Sequence, residues 1–226
     1  MLRLYDWFIA FVRAFMRFLV FPLFGGVRAY HLERVPRKGA LLVVANHVSH
    51  ADPPIIGSML PRRLRYMAQA DLFKVFGFNW LIKLLGAFEV KRGEPDVAAI
   101  RKALGFLAKG EALLIFPEGR RGDGKRLLPA QKGVVLLVMK SDPLVLPVGI
   151  CGTAKLLPRG AKFPKRHKVK VIVGKPFRFS ELTERFGEKR AKEIFGDFIM
   201  ERIHELLIEG GENIEPAPKT SAIADV

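Results

Sequence analysis

Short apolar runs recur along this sequence and alternate with longer segments of helical periodicity. Strands are predicted at residues 40–46, 64–69, 88–92, 112–116, 144–150 and 168–173, and the first of these has the composition of a buried strand. Helices are predicted at 94–109, 133–140 and 188–208. In the helix predicted at 94–109, apolar residues recur at helical spacing, and Gly110 ends it. Strands that alternate with helices predict an α/β domain, which we place at 27–208, with a mixed, mostly parallel sheet flanked by helices.

An apolar segment, residues 1–26, precedes this domain. Arg13 and Arg17 make it a poor spanning helix, because two central arginines cost roughly 5–7 kcal/mol while the apolar residues return about 3–6. At about 100° per residue, five small or polar residues fall within one arc of roughly 80°. These are Arg3, Asp6, Ala10, Arg13 and Arg17. We predict a membrane-associated helix that lies in one leaflet with its arginines directed at lipid phosphates; a helix packed on the domain is the alternative.

The net charge is +16, from 38 Lys and Arg against 22 Asp and Glu, and a surplus of this size predicts an anionic partner. The aromatic residues are 18 Phe with only 3 Tyr and 2 Trp, which favours a lipid surface over stacked bases. We therefore expect anionic phospholipid and no nucleic acid as partner. A non-catalytic basic protein that binds a membrane or nucleic acid remains an alternative. The single cysteine, Cys151, is interpreted as a small buried side chain.

Residues 46–53 read NHVSHADP and follow a predicted strand. Three interpretations are open. A zinc site would need three ligands, and the other histidines lie in no ligand-like context. Asp52 before Pro53 is typical of a helix N-cap. His47 and Asp52 could also form a general base and the carboxylate that orients it, with His50 in the spacer.

The same residues carry a family resemblance. His47 and Asp52 within NHVSHAD resemble the first signature block of the glycerolipid acyltransferases, most closely the 1-acyl-sn-glycerol-3-phosphate acyltransferases. Phe88–Arg92 (FEVKR), Phe116–Arg121 (FPEGRR) and Leu146–Ile150 (LPVGI) resemble the second, third and fourth blocks, in the same order. Arg120 departs from the family's usual Thr. The resemblance covers roughly residues 25–180.

The resemblance implies a reaction and its residues. An acyl chain would pass from acyl-CoA or acyl-carrier protein to the 2-hydroxyl of lysophosphatidate, which yields phosphatidate, at the cytoplasmic face of the cell membrane. His47 and Asp52 would be catalytic, with no metal and no cofactor, and oxyanion donors are expected among backbone N–H groups at the Asp52-Pro53 helix start. The acceptor would be bound by Lys91, Arg92, Glu118, Gly119 and Arg121, with Glu118 ordering an arginine or accepting from a glycerol hydroxyl.

Several expectations remain open at this stage. Arg120 leaves another lysophospholipid or a lyso-aminolipid as an alternative acceptor, and a thioesterase with water as nucleophile would use the same base. Residues 72–88 are apolar and could face lipid or the core. Residues 209–226, rich in Gly, Pro and small polar residues, are predicted to be a disordered tail.

Overall fold

A computed structural model describes residues 2–70, 73, 78–90 and 96–219. One sheet holds the strands β1 Val27–Tyr30, β2 Leu41–Ala45, β3 Leu64–Gln69, β4 Ala87–Val90, β5 Ala112–Ile115, β6 Leu144–Cys151 and β7 Val169–Val173. The helices are α1 Leu2–Phe15, α2 Phe21–Leu23, α3 Asp52–Met59, α4 Phe78–Leu84, α5 Val97–Ala108, α6 Lys132–Ser141, α7 Thr153–Leu156, α8 Phe179–Phe186 and α9 Glu188–Glu209. A π-helical turn at Met16–Val20 joins α1 to α2.

The sheet is mixed and has the strand order β1-β7-β6-β2-β5-β3-β4. The five strands from β6 to β4 run parallel to one another, whereas β7 runs antiparallel to β6 and parallel to β1. The strands β2, β5 and β6 therefore end at one edge of the sheet, here termed the carboxyl edge. In sheets of this kind, functional side chains gather in the loops that leave this edge.

Both faces of the sheet are covered by apolar side chains. Along β2, Leu42 and Val44 pack into a layer with α5, α6 and α9, while Leu41, Val43 and Ala45 pack into the layer that contains α3 and Phe21. All five β2 residues are fully buried. A strand buried on both faces needs a continuous apolar run, which is why β2 is readable from the sequence.

The predicted α/β fold with a mixed, mostly parallel sheet is confirmed, and the predicted strands and helices recur with shifts of a few residues at their ends. The helix predicted at 94–109 begins at Val97, because Asp96 caps it by accepting a hydrogen bond from the backbone N–H of Ala99 at 2.9 Å. The sequence reading missed β1, α7 and α8, which are short or mainly polar. Of residues 72–88, α4 is described and its Ile82 is buried, while 72 and 74–77 lie outside the described residues.

The N-terminal helix packs on α3, which was the alternative prediction, and the predicted direction of Arg17 toward lipid is wrong. Arg17 points into the molecule, where its Nη2 donates to the carbonyl of Met59 at 2.8 Å and its Nε to that of Ser58, at the end of α3. The exposed side is apolar instead, and it carries Trp7, Phe8, Phe11, Phe15, Phe18, Leu19 and Leu23. Among residues 2–70, 73, 78–90 and 96–219, no helix combines the length and apolar character needed to cross a membrane.

The segment after α9 is ordered as far as residue 219, so the prediction of a disordered tail is wrong for this part. Ile214 is buried, and the backbone of Glu215 pairs with Lys125 and Leu127 through two hydrogen bonds of 2.8 and 3.0 Å. The Gly and Pro residues of this segment permit the turns that bring Ile214 into the core and leave the polar side chains exposed. Residues 220–226 lie outside the described part of the chain.

Candidate active site

The catalytic candidate His47 lies just beyond the end of β2, at the carboxyl edge. Asn46 fixes the chain at this point, because its buried side chain donates to the carbonyl of Ile150 at 3.0 Å and accepts from the N–H of Ile150 at 2.8 Å. These two bonds tie the end of β2 to β6 where the ladder between them stops. Asn46 therefore has a structural role, because it fixes the position of the chain at His47.

The side chain of His47 is held by Asp52. The Nδ1 atom lies 2.8 Å from Asp52 Oδ2, and the same oxygen accepts hydrogen bonds from the backbone N–H groups of Val48 and Ser49, each at 2.8 Å. Asp52 is completely buried. A carboxylate can only accept hydrogen bonds, so Nδ1 carries the proton and Nε2 is the basic nitrogen of the ring.

The interpretation of Asp52 as a helix N-cap is wrong. The cap position of α3 is Ala51, without a side-chain hydrogen bond, and Asp52 is already the first helical residue. Its carboxylate turns back into the preceding loop rather than along the helix. Three groups of the 47–52 loop thus contact one oxygen atom, Asp52 Oδ2. These contacts fix the distance between His47 and Asp52.

The expected oxyanion donors at this helix start are already bonded. The N–H of Ala51 donates to Ser49 Oγ at 3.2 Å, and the N–H of Asp52 donates to the carbonyl of Ser49 at 3.2 Å. Pro53 and Pro54 follow, and proline has no N–H. The start of α3 therefore offers no backbone donor from these four residues to a developing oxyanion.

The imidazole of His47 stacks on Phe116, the residue after β5. Their ring centroids are 4.0 Å apart and the ring planes are inclined by 17°. The His47 side chain is 17% exposed, so one part of the ring still faces solvent. With Asp52 at Nδ1 and Phe116 on one face, the ring has little freedom to rotate. The direction of its free nitrogen is therefore fixed before any substrate arrives.

Glu118 lies behind His47, and both of its side-chain oxygens accept hydrogen bonds from backbone N–H groups. The side chain is buried, its Oε1 accepts from the N–H of His47 at 2.8 Å, and its Oε2 accepts from the N–H of Leu128 at 3.1 Å. Burial raises the pKa of this carboxyl to about 7, against the opposing effect of the two hydrogen bonds. Glu118 thus positions the backbone of His47, and within the described part of the chain it forms no ion pair with an arginine.

The rest of the FPEGRR block forms a turn across the site. Gly119 has a φ of +69°, and a Cβ there would lie 2.9 Å from Gln131 Cγ, so the turn requires glycine. The N–H of Gly122 donates to the carbonyl of His47 at 2.8 Å. Arg120 is exposed, while Arg121 is half-buried. Desolvation, followed by the charges of Arg121 and His47, lowers the pKa of His50, which indicates that Arg121 lies near the catalytic loop.

The remaining predicted binding residues, Lys91 and Arg92, lie outside the described residues. Within the described part of the chain, no three His, Cys, Asp or Glu side chains are grouped so that they could hold a metal ion. Ser49 is not a nucleophile, because its hydroxyl is buried and donates to the carbonyl of Leu157 at 2.9 Å.

Asn46, Ser49 and Phe116 were not singled out from the sequence. Each lies within one of the blocks quoted above, but the residue pattern does not distinguish a residue that fixes the backbone from one that only fills the spacing. Cys151 is buried at the end of β6, as predicted, and burial raises the pKa of its thiol to about 12.

This chain is similar to known proteins in sequence and in fold. A 1-acyl-sn-glycerol-3-phosphate acyltransferase of Bacillus subtilis is 26% identical over 173 residues, covering 76% of this chain and 84% of that protein. A chloroplastic enzyme with the same designation from Arabidopsis thaliana is 29% identical over 165 residues, which is 71% of this chain and 46% of the plant protein. The chain thus spans less than half of that longer relative.

The crystal structure of the 1-acyl-sn-glycerophosphate acyltransferase from Thermotoga maritima superposes with a TM-score of 0.77 at 26% identity. It covers 92% of this chain and 81% of the other. The family model described as "Acyltransferase" matches residues 26–151, which include His47, Asp52 and the FPEGRR block. The chain therefore belongs to the acyltransferase family.

Proposed function

We propose that the protein transfers an acyl chain from an acyl thioester to the 2-hydroxyl of 1-acyl-sn-glycerol-3-phosphate and so makes phosphatidate for phospholipid synthesis. The observation that carries the proposal is the 2.8 Å contact between His47 Nδ1 and a fully buried Asp52. That contact leaves Nε2 as a base that could act on a substrate hydroxyl without a protein nucleophile. The relatives from Bacillus subtilis and Thermotoga maritima support the choice of acceptor.

The proposed chemical step uses His47 twice. Nε2 takes the proton of the 2-hydroxyl as its oxygen attacks the thioester carbonyl carbon, and Asp52 stabilises the imidazolium that results. The tetrahedral intermediate then collapses with cleavage of the carbon–sulfur bond. The imidazolium returns its proton to the departing thiolate, which restores the neutral histidine. General base catalysis of this kind contributes about 10²–10⁴ to the rate.

The phosphate of the acceptor requires cationic partners. Arg121 is the described candidate, because it lies on the turn across the site close enough to His50 to affect its pKa. Lys91 and Arg92 complete the proposed phosphate site. Arginine suits a phosphate monoester because its planar guanidinium can donate two parallel hydrogen bonds.

The acyl chain would occupy an apolar cavity of about 110 Å³ beside the catalytic loop. Met16 and Val20 of the N-terminal segment line it, together with Ala51 and Pro54 at the start of α3. Val20→Phe would narrow this space and is expected to shift the preferred donor toward shorter chains. The ratio of rates with long and short acyl-CoA measures the shift, and an unchanged ratio would place the acyl chain elsewhere.

We also propose that the protein is monotopic or peripheral at the cytoplasmic face of the cell membrane. The support is the exposed apolar side of the N-terminal helix, on which Trp7, Phe11, Phe18 and Leu23 are each at least 65% exposed. A contiguous apolar surface of this kind is typical of a membrane or protein contact. Arg17 is directed into the domain, so the lipid contact would be made by the aromatic side and not by an arginine stripe.

The activity is tested with detergent-purified protein, lysophosphatidate, and either acyl-CoA or acyl-carrier protein. We expect radiolabelled phosphatidate with at least one donor, and a loss of product in His47→Ala. Absence of phosphatidate, while a control acyltransferase works in parallel, would refute the acceptor. Free fatty acid released without any acceptor would identify a thioesterase instead.

One relative favours a second candidate acceptor. A lyso-ornithine lipid O-acyltransferase of Pseudomonas aeruginosa is 32% identical over 111 residues, covering 49% of this chain. Arg120, which stands where the family usually has Thr, is exposed on the turn across the site. A competition assay with equal concentrations of lysophosphatidate and lyso-ornithine lipid decides between the two acceptors.

A further inference from the structure

The connection between β6 and β7 is a strongly basic segment. Residues 152–168, here termed the basic loop, contain six Lys and Arg, and neither Asp nor Glu occurs anywhere in residues 143–180. All six side chains are exposed: Lys155, Arg159, Lys162, Lys165, Arg166 and Lys168. Within residues 2–70, 73, 78–90 and 96–219, none of them forms an ion pair with a carboxylate. The loop therefore presents six exposed cations, and the nearest carboxylate contact of the segment in the described part of the chain is that of Glu212 with the backbone N–H of Gly152.

A large apolar side chain stands among these charges. Phe163 is 80% exposed and lies next to Lys162 in sequence, with Lys165 two positions further on. An isolated exposed apolar residue is ordinary on a protein surface. An aromatic ring surrounded by cations is different, because the ring can enter the boundary of a bilayer while the charges stay with the headgroups.

The loop lies on the same side of the molecule as the catalytic histidine. β6 runs parallel to β2, so its end, where the loop begins, lies at the carboxyl edge with His47. The two segments are in direct contact, since Ser49 Oγ donates to the carbonyl of Leu157 at 2.9 Å. A surface that binds the basic loop would therefore lie close to the active site.

The basic loop is also fastened to the end of the N-terminal helix. The N–H of His167 donates to the carbonyl of Phe24 at 2.8 Å, and the N–H of Val169 donates to that of Gly26 at 3.0 Å. The approach is so close at Gly25 that a Cβ would lie 2.6 Å from the carbonyl oxygen of His167. Pro164, next to Phe163, lines the same cavity as Met16 and Val20 of the helix.

We propose that the basic loop is a second membrane contact, in which six cations bind anionic lipid headgroups and Phe163 enters the interface. A lipid surface fits better than an acidic protein, because the loop is hydrogen-bonded to Phe24, which directly follows the exposed Leu23 of the N-terminal helix. The proposal extends the membrane location proposed above and rests on it. It does not depend on acyl transfer, so it is tested by binding.

The test is flotation of the full chain with vesicles of phosphatidylcholine alone or mixed with phosphatidylglycerol. A triple variant, Lys162→Gln, Lys165→Gln and Arg166→Gln, removes three positive charges from the loop. Each basic residue near an anionic surface contributes roughly fivefold to binding, so partition onto the anionic vesicles should fall about 100-fold. Partition onto neutral vesicles should be unchanged, because the apolar side of the helix is intact.

A matched control removes the same charge at the opposite edge of the sheet. Lys38→Gln, Lys109→Gln and Lys140→Gln change exposed residues in segments that lead into β2, β5 and β6. This variant should keep at least a third of the binding to anionic vesicles. Equal losses in the two triple variants would show that only net charge matters and would overturn the proposal, as would full binding by the loop variant.

Insertion of the loop is tested by placing a fluorophore at its tip. Phe163→Cys can be labelled selectively because Cys151, the other cysteine of that variant, is buried. An environment-sensitive dye should shift to the blue on anionic vesicles at position 163 and not at a Lys140→Cys control. If the loop variant binds vesicles normally but loses turnover only with acyl-carrier protein as donor, the loop is a protein-docking surface and the proposal fails.

Discussion

The carboxylate of Glu118 holds the backbone N–H of His47 at 2.8 Å, across 71 residues of sequence. The two residues belong to separate blocks of the family pattern, on loops that leave the neighbouring strands β2 and β5. Because its second oxygen holds Leu128, Glu118 joins three parts of the carboxyl edge through one buried side chain. The acidic residue of FPEGRR thus contacts His47, the proposed general base, through the main chain of that histidine.

We expect Glu118→Gln to lower kcat with little change in KM. The glutamine amide has one oxygen, so one of the two N–H donors would face an NH₂ group and the histidine loop would shift. A displacement of about 1 Å in a catalytic group costs roughly 100-fold in rate. Steady-state kinetics against lysophosphatidate measure the effect, with Glu201→Gln, an exposed glutamate on α9, as control. A large rise in KM at constant kcat would show that Glu118 binds the acceptor instead.

The same residue predicts a pH dependence of stability. Burial raises the pKa of Glu118 in the folded protein to about 7, above its value of 4.5 in the unfolded chain. The protonated side chain therefore adds up to about 3 kcal/mol to the free energy of unfolding. This contribution is fully present below pH 4.5 and is lost as the pH rises through 7. We expect the difference in free energy of unfolding, wild type minus Glu118→Gln, to decrease as the pH is raised from 4.5 to 7. A difference that is flat with pH would contradict the shift.

Asp52→Asn should reduce kcat by about 10²–10⁴-fold while the protein remains folded. Asparagine keeps the shape of the side chain and can still accept from Val48 and Ser49. It lacks the negative charge that stabilises the imidazolium of His47. The measurement is kcat, with the thermal unfolding midpoint as a test of folding. More than a third of the wild-type rate in a folded variant would remove Asp52 from the mechanism.

Arg17→Gln should destabilise the protein. The guanidinium donates to the carbonyls of Ser58 and Met59, which are left without helical partners at the end of α3. Hydrogen bonds from a charged group contribute about 1.5–3 kcal/mol, and a shorter neutral side chain cannot make both. Urea unfolding in detergent measures the loss, with the exposed Arg101→Gln as control. Equal stability of the two variants would show that Arg17 is dispensable.

The sequence predicted the features that depend on local pattern. Strands buried on both faces are continuous apolar runs, so β2, β5 and β6 could be read directly. The pairing of His47 with Asp52 was also predicted, since only four residues of one loop separate them. Periodicity, by contrast, gives the spacing of arginines on a helix but not the direction of the helix face, which is set by the carbonyls at the end of α3.

The roles that the sequence did not predict depend on contacts between distant segments. The partners of Glu118 are two backbone N–H groups, which every non-proline residue possesses, so no residue pattern marks them. The same holds for residues 210–219, whose composition is typical of disorder. One buried side chain, Ile214, and a few backbone bonds are enough to order that segment.

The segment after α9 also holds two loops of the carboxyl edge in place. Glu212 accepts a hydrogen bond from the N–H of Gly152 at the base of the basic loop, and Glu215 pairs with the chain at Lys125 and Leu127. One short segment therefore braces two loops at the carboxyl edge without touching His47. A chain cut after Glu209 would keep His47, Asp52 and α9, yet its two loops would lose their common brace. The last helical turn is therefore a poor place to shorten this chain.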